Sequence, residues 1–300
     1  MAKSVSKIIL PGDADQLLDL SRHTTAVEKF SHCFKIRAGL PHFEKLRAIL
    51  TAFSALPYEN LSKIVKFNRH GDDEKARLRL PEEVFEDHLE FRLGGTCFSL
   101  TFFLQAILVN QDFPCYPIMA DMHAGPDVHC ALIVFLEGKK LLVDPGYLLR
   151  EPMVLDKDRP RLYHTAFTGV ELQFNPATEC FDLYTFNRTE TKWRYRFRDI
   201  PATTEQFFRH WQASFHRNGM HGLCLTRSVG EDLIFVHKNF MRISSSEGKR
   251  NFNLRQNFHA TVQRIFGIAP DYIDRAQAAL AANLRLEQEL ARSCEIISRI

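Results

Sequence analysis

Hydrophobic residues in the first third of the chain recur at the spacing of a helix face. Phe43, Leu46, Ile49 and Leu50 follow this spacing, and earlier in the chain two acidic residues precede a leucine-rich stretch. A polar break at residues 68–75 interrupts the pattern. We therefore expect an N-terminal helical region that extends to about residue 95.

The pattern changes to β-strands between about residues 114 and 200, where short apolar and β-branched segments alternate with turn residues. Residues 192–198 alternate strictly and predict a half-buried strand. One face would carry Trp193, Tyr195 and Phe197, and the other Lys192, Arg194, Arg196 and Arg198. Farther on, the pattern predicts a helix at residues 204–215, strands at 223–226 and 233–236, and a helical tail from residue 271. The order of helical, β and mixed segments predicts an α+β fold.

Composition excludes several classes of protein. The 300 residues are 45% hydrophobic and 25% charged, which is typical of a globular protein with a large core. A net charge of +3 is too small to indicate nucleic acid or an anionic membrane as partner, although it mildly suits an anionic small molecule. The apolar stretch within residues 1–10 is too short for a secretory signal, and no apolar run approaches the roughly 18 residues of a membrane span. The seven cysteines form no CxxC pair, so we expect a reducing, cytoplasmic location.

Cys97 is the candidate nucleophile. It follows Gly94-Gly95 and precedes apolar residues at helical spacing, so we expect it in the first turn of a largely buried helix. Unpaired N–H groups and the helix dipole favour the reactive thiolate there and could stabilise an oxyanion. The two glycines would allow a tight turn and close approach of a substrate. The alternative is a buried structural cysteine, which is our interpretation of the other six.

His129 and Asp144 are the candidate base and its orienting carboxylate. They lie in two apolar segments joined at residues 137–138, Glu-Gly, which predict a two-residue hairpin turn. In that register His129 opposes Gly146, so His129 and Asp144 share one face as diagonal neighbours with Cβ atoms about 7–8 Å apart. A thiol needs an adjacent base, and the base needs a third group to hold its tautomer. The three residues supply these roles, although a histidine in an apolar strand is more often a core residue.

Three separated motifs resemble the arylamine N-acetyltransferase family. Leu-Pro-Tyr-Glu-Asn-Leu at residues 56–61 is similar to the family's Pro-Phe-Glu-Asn-Leu segment. Gly-Gly-Thr-Cys-Phe at residues 94–98 resembles its Arg-Gly-Gly-x-Cys motif, and Val-Asp-Pro-Gly-Tyr at residues 143–147 resembles its Val-Asp-Val-Gly-Phe segment. The likeness covers about residues 10–155 and is faint beyond.

The resemblance implies a fold, a mechanism and a set of site residues. It implies a helical bundle (1–95), a nucleophile helix with a β-barrel (96–200) and an α/β lid (201–300) on a cysteine-protease-like core. It also implies a ping-pong cycle with Cys97 as nucleophile, His129 as base and Asp144 as its orienter. Tyr58, Gly146 and Tyr147 would line the cleft. No tightly bound cofactor or metal is expected: acetyl-CoA or another acyl-CoA would be the donor, and a small amine the acceptor.

Several positions near the triad depart from the family pattern. Leu93 replaces the arginine before Gly-Gly, and Pro145 follows Asp144. Ser99, Thr101 and Val128 also differ from the residues usual in the family.

Three alternative functions remain open at this stage. The first is an amide synthase that acts on a carrier-bound acyl chain, and the second is a transglutaminase-like or papain-like cysteine hydrolase. The third is a catalytically silent relative. A metal site at His123, Asp127, His129 and Cys130 fits no zinc spacing, and the arginines of residues 194–198 are interpreted as a solvated strand face rather than a CoA phosphate site. The oligomeric state is not predicted.

Overall fold

The computed structural model describes residues 12–165 and 167–298. The segment weighed above as a possible signal lies outside these residues, as does the side chain of Cys294. The helices in the described part are α1 (Gly12–Leu17), α2 (Thr24–Cys33), α3 (His42–Phe53), α4 (Leu61–His70), α5 (Pro81–Phe91), α6 (Cys97–Asn110), α7 (Thr204–Ala213), α8 (Phe258–Phe266) and α9 (Pro270–Ser298). None of these helices has both the length and the apolar character required to span a lipid bilayer.

The strands form two antiparallel sheets. An eight-stranded sheet has the order β5-β4-β3-β2-β9-β8-β7-β6, and a five-stranded sheet has the order β1-β10-β11-β12-β13. Their bounds are β1 (Tyr58–Glu59), β2 (Cys115–Met122), β3 (Gly125–Leu136), β4 (Lys139–Val143), β5 (Met153–Val154), β6 (Arg161–His164), β7 (Gly169–Asn175), β8 (Cys180–Phe186), β9 (Thr191–Phe197), β10 (Cys224–Val229), β11 (Asp232–His237), β12 (Phe240–Ser245) and β13 (Gly248–Asn253).

The larger sheet is nearly closed into a barrel. Its edge strands β5 and β6 approach each other, and the Val154 N–H donates a hydrogen bond to the Tyr163 hydroxyl across the gap (2.6 Å). Closure removes most of the unpaired edge of the sheet and encloses an apolar interior that includes Ile133, Leu183 and Phe197. Helices precede and follow this barrel in the chain, which confirms the α+β fold.

The hairpin of β3 and β4 forms as predicted. Leu136 pairs with Lys139, and Leu132 pairs with Val143, so residues 137–138 are the two-residue turn. Both turn residues have positive φ (Glu137 50°, Gly138 73°), as a type I′ turn requires. The turn therefore fixes the register on which the placement of His129 depends.

The C-terminal sheet is larger than the sequence pattern predicts. The predicted strands at 223–226 and 233–236 form as β10 and β11, but β12 and β13 were missed. β13 is exposed or half-exposed along its whole length, so it lacks the apolar alternation that predicts a strand. β1, from the predicted helical region, joins the same sheet by pairing Tyr58 with Thr226. Whether residues 95 and 200 are domain boundaries stays a prediction.

Candidate active site

Cys97 is the first residue of α6. The extended backbone of Thr96 (φ −93°, ψ 174°) precedes it, and the Leu100 N–H donates to the Thr96 carbonyl (3.0 Å). The helix is buried on nearly all sides, and Cys97 is 8% exposed. The predicted start of a buried helix at Cys97 is confirmed. Its thiol lies where the helix dipole stabilises negative charge.

The glycines before Cys97 are required by packing rather than by a special backbone conformation. Neither Gly94 nor Gly95 has positive φ. A Cβ on Gly94 would lie 1.9 Å from the Pro57 carbonyl oxygen, and one on Gly95 would lie 2.3 Å from the Ser99 hydroxyl. The segments are joined by hydrogen bonds, since the Gly95 N–H donates to Pro57 (3.3 Å) and the Glu59 N–H donates to Gly95 (3.0 Å). Packing against Pro57 and Ser99 thus accounts for both glycines, and the close approach of a substrate stays a prediction. They dock two of the three sequence motifs against each other.

Arg79 holds this junction from a position that the motifs do not include. Its guanidinium, 3% exposed, donates to the Gly94 carbonyl (2.5 Å) and to the Asp87 carboxylate (2.6 Å). It also lies 3.5 Å from the Glu59 carboxylate, which accepts hydrogen bonds from Ser62. Leu93 occupies the position at which the family pattern has an arginine. The cation at this turn is instead Arg79, which lies 15 positions before Gly94.

The Arg79→Met variant is expected to lose about 3–5 kcal/mol of unfolding free energy, because it leaves the buried Glu59 carboxylate without its counterion. Urea unfolding followed by circular dichroism measures this change. The matched control is Arg47→Met, because the ion pair of Arg47 with Glu151 is half exposed (51% and 37%). We expect the control to change by less than about 1 kcal/mol. Equal losses in the two variants would contradict this role of Arg79.

His129 and Asp144 lie together at the open end of the β3–β4 hairpin. The His129 Nε2 atom is 2.8 Å from Asp144 Oδ2, and both side chains are buried. Asp144 Oδ2 also accepts a hydrogen bond from the Tyr195 hydroxyl (2.7 Å), and Oδ1 accepts one from the Tyr147 N–H (3.2 Å). This arrangement leaves Nδ1 of His129 as the ring nitrogen available to the sulfur.

The electrostatic surroundings favour a thiolate and an imidazolium. A hydrogen bond from the Cys130 thiol, together with the hydrogen bond and charge of His129, lowers the pKa of Cys97 well below its ordinary value, although burial opposes this. Burial lowers the pKa of His129, but the charge and hydrogen bond of Asp144 and the contact with Cys97 outweigh it and raise this pKa to about 10. Burial alone raises the pKa of Cys115 to about 12. Cys97 and Cys115 therefore differ in protonation at neutral pH.

Alkylation by a neutral reagent such as iodoacetamide is expected to show this difference. The Cys97 rate should stay nearly constant from about pH 6 to about pH 8, whereas a free thiol of pKa about 8.5 reacts roughly tenfold faster per pH unit over this range. The weak pH dependence is expected because the pKa of Cys97 is lowered well below its ordinary value, which favours the thiolate, and because His129 keeps its proton until about pH 10. Peptide mass spectrometry measures both cysteines in one sample, with Cys115 as the internal control. A Cys97 rate that climbs with pH like that of a free thiol would contradict the ion pair.

Gly146 provides the space in which the three side chains meet. A Cβ at this position would lie 2.9 Å from His129 Cε1, 3.2 Å from Cys97 Cβ and 3.3 Å from Asp144 Oδ1. The three atoms belong to three different segments of the chain, so the site is brought together only by the fold. Cys97, His129 and Asp144 thus all have an atom within 3.3 Å of the position that a Cβ on residue 146 would occupy.

Tyr195 and Cys130 were missed as neighbours of this site. The Tyr195 ring packs against His129 with centroids 4.8 Å apart. The alternation of residues 192–198 predicts a buried face for Tyr195, but no local pattern indicates that β9 lies beside β2, which brings the ring to Asp144. Cys130 was interpreted as a structural cysteine like the other five, and alternation along β3 turns it to the opposite side of the strand from His129. The start of α6 covers that side of β3, so Cys130 also reaches the Cys97 sulfur.

A cavity of about 480 Å³ opens onto Cys97 and His129. Tyr58, Gly146 and Tyr147, the three residues predicted to line a cleft, are on its wall. The remaining apolar lining comes from the barrel and from the five-stranded sheet, and includes Phe167 and Phe235. The cavity thus offers the sulfur a site for a small aromatic or aliphatic group.

A β-bulge in β9 changes the predicted faces of this strand. Leu183 pairs with Tyr195 but Tyr184 pairs with Trp193, so Arg194 is an extra residue between the two pairs. The predicted alternation is confirmed from Tyr195 onward but is wrong before the bulge: Trp193 turns to the outer face, where its Nε1 donates to Asp182 (2.8 Å). Lys192 and Arg194 line the cavity; Arg194 is half-buried there, and Lys192 stays exposed.

The four residues considered for a metal site do not converge. The His123 ring packs against Trp193 (4.6 Å), and Asp127 lies 3.7 Å from His210. Within residues 12–165 and 167–298, no group of three or more His, Cys, Asp and Glu side chains has an arrangement that could hold a metal ion.

A protein-family model and several solved structures match this chain. The model of the N-acetyltransferase family matches residues 42–273, which is most of the chain. The arylamine N-acetyltransferase from Mycobacterium abscessus is 17% identical with a TM-score of 0.74, over 88% of this chain and 97% of that chain. The Salmonella typhimurium enzyme is 17% identical with a TM-score of 0.69, over 86% and 98%. The Mycobacterium marinum enzyme in complex with CoA is 18% identical with a TM-score of 0.69, over 85% and 98%. No curated protein sequence matches the chain. The structural likeness confirms the fold, including its cysteine-protease-like core.

Proposed function

Because this chain is an acetyltransferase of the arylamine N-acetyltransferase family, we propose that it passes an acyl group from a CoA thioester to a small amine through Cys97. Acetyl-CoA is the proposed donor, supported by the relative with bound CoA. The observation that carries the proposal is the meeting of a low-pKa thiol, an imidazole and a buried carboxylate at the wall of one cavity. A cytoplasmic location stays a prediction.

In the first half-reaction the Cys97 thiolate attacks the thioester carbonyl of the donor. The carbon–sulfur bond to CoA breaks, and the His129 imidazolium gives its proton to the departing CoA thiolate. The products are an acyl thioester on Cys97 and free CoA. Since the folded protein already favours the thiolate, no proton has to leave Cys97 during the attack.

In the second half-reaction the amine attacks the Cys97 thioester. Neutral His129 accepts the amine proton as the new carbon–nitrogen bond forms, and the Cys97 thiolate departs. Asp144 stabilises the imidazolium that results, and Tyr195 and the Tyr147 N–H hold the carboxylate in place. Backbone N–H groups at the start of α6 would stabilise the oxyanion of both tetrahedral intermediates.

Intact-protein mass spectrometry after incubation with a panel of acyl-CoA thioesters tests the proposal. We expect a mass increase of one acyl group with acetyl-CoA and loss of this group when an arylamine is added. Labelling only by long acyl thioesters would instead favour an amide synthase. Release of the free acid without any amine would favour a hydrolase, and an unlabelled folded protein would indicate a silent relative.

A further inference from the structure

Basic side chains line one side of the cavity that opens onto Cys97. We propose that Arg194, which the bulge turns into this cavity, binds a carboxylate group carried by the enzyme's small substrate. The inference rests on the proposed function and extends it, because it specifies an anionic substrate class. The same carboxylate could be carried by the amine acceptor or by the acyl group, and the experiment below separates these sources.

The Arg194 side chain is directed into the cavity wall. Its Nε donates to the Thr185 hydroxyl (2.6 Å), and Thr185 is a buried residue that lines the cavity. Without the bulge, strict alternation would place Arg194 opposite in direction to Tyr195. With the bulge, both residues face inward, and a residue type that normally stays in solvent lies half-buried in the wall. Bulges commonly redirect side chains in this way beside functional sites.

Positive charge exceeds negative charge around the cavity. Its lining includes four strongly basic residues and a single acidic one, Glu190; the basic residues are Lys192, Arg194, Arg242 and Lys249. Glu190 forms ion pairs with Lys192 (3.1 Å) and with Lys249. Arg194 and Arg242 bind only neutral oxygens through Nε, those of Thr185 and Asn251 (3.1 Å). In the part of the chain that the structure describes, no carboxylate pairs with either guanidinium.

The guanidinium group of Arg194 has donors left for a ligand after its hydrogen bond to Thr185. Among the described residues, neither Nη atom of Arg194 donates a hydrogen bond to protein. Two parallel N–H donors suit a carboxylate, which they bind in a bidentate manner. The lining of the same cavity includes Tyr147, whose ring packs against His129 (5.4 Å), and apolar groups such as Phe186. This combination fits a ring or short chain with a negative end.

The distance from the nucleophile favours a carboxylate on the small substrate over the phosphates of CoA. Arg194 directly precedes Tyr195, whose hydroxyl binds Asp144, so the two Cα atoms are about 3.8 Å apart. The positive charge of Arg194 also acts on the hydroxyl of Tyr147. Arg194 thus acts on a residue whose ring contacts His129, whereas the CoA phosphates are separated from the thioester by the whole pantetheine arm.

Steady-state kinetics of Arg194→Met tests the inference with matched substrates. The acceptors are 4-aminobenzoate and its neutral methyl ester, and the donors are succinyl-CoA and butyryl-CoA. We expect kcat/KM for one carboxylated substrate to fall about 10- to 100-fold, as for a lost hydrogen bond to a charged group, with its neutral partner changed less than about threefold. Arg198→Met is the control, because Arg198 is exposed and lies outside this cavity.

The pattern of losses identifies the source of the carboxylate. A selective loss for 4-aminobenzoate indicates the acceptor, and a selective loss for succinyl-CoA indicates the acyl group. Equal losses for charged and neutral partners, or no loss, would overturn the proposal. A loss with acetyl-CoA that disappears with acetyl-pantetheine would show that Arg194 binds CoA phosphate, which also overturns it.

A binding measurement separates this inference from the proposed function. Calorimetry with the inactive Cys97→Ala protein compares 4-aminobenzoate and succinate with their methyl esters, and needs no turnover. We expect tighter binding of at least one anion than of its ester, and loss of that preference in Cys97→Ala/Arg194→Met. Equal affinity for anion and ester would overturn the inference even if Cys97 is acylated. If Cys97 is never acylated but the preference is present, the inference holds and the proposed function fails.

Discussion

Cys97→Ala is expected to reduce acetyl transfer by about four orders of magnitude or more, since removal of the nucleophile from such a triad leaves only the weak effects of binding. The loss should appear in kcat, because the cavity wall is otherwise unchanged and the variant keeps its affinity for CoA. A spectrophotometric assay of CoA release measures turnover, and calorimetry with CoA measures binding. The variant should fold, because Cys97 contributes a small side chain to the core.

The control for this variant is Cys115→Ala. Cys115 is a half-buried cysteine at the start of β2, and burial raises its pKa to about 12, so it is protonated at neutral pH. We expect the turnover of Cys115→Ala to stay within about threefold of that of the wild type. Comparable turnover in Cys97→Ala and the wild type would exclude Cys97 as the nucleophile.

Asp144→Asn is expected to lower kcat about 10³- to 10⁴-fold and leave a slow residual reaction. The amide does not carry the charge that raises the pKa of His129, and it no longer holds the ring in a single tautomer. The pKa of His129 should then fall from about 10, and that of Cys97 should rise because its imidazolium partner is lost. The residual acylation rate should therefore increase with pH across the neutral range, where we expect the wild-type rate to be nearly flat. Stopped-flow measurement of the acylation step gives this profile.

Tyr195→Phe separates the charge of Asp144 from its hydrogen bonds. This variant removes one hydrogen bond to Asp144 Oδ2 but leaves the carboxylate and its contact with His129. A buried acceptor that loses one of its donors costs about 1–3 kcal/mol, so kcat should fall about 10- to 100-fold and the flat pH profile should remain. A flat profile in Asp144→Asn would contradict the role given to the carboxylate.

Local signals in the sequence were sufficient to predict the hairpin and the helix that carry the three proposed catalytic residues. The Glu137-Gly138 turn permits one register, and in that register His129 and Asp144 share a face. The start of α6 at Cys97 followed from the glycines and the apolar period. These predictions hold because each depends on a few adjacent residues. The meeting of the hairpin with the helix depends on tertiary packing, so it was predicted from the chemistry that a thiol nucleophile requires and from the family resemblance, not from a local pattern.

The features missed by the sequence analysis depend on contacts between distant segments or on a single extra residue. Arg79 contacts Glu59 and the Gly94 carbonyl through packing of separate segments, and no periodic pattern indicates such a contact. The bulge at Arg194 lies in a strand whose composition predicts perfect alternation, because Trp193 is as suitable for a buried face as for an outer one. β13 is exposed along its length and lacks an apolar pattern altogether.

Isolation of the acyl-enzyme tests the central claim most directly. The protein is incubated with acetyl-CoA, freed of donor by rapid desalting, mapped by peptide mass spectrometry, and then mixed with an arylamine. We predict one acetyl group on Cys97 and its transfer to the amine in equal amount without any CoA thioester present. An acetyl group on another residue, or amide formed only while the donor is present, would contradict the account.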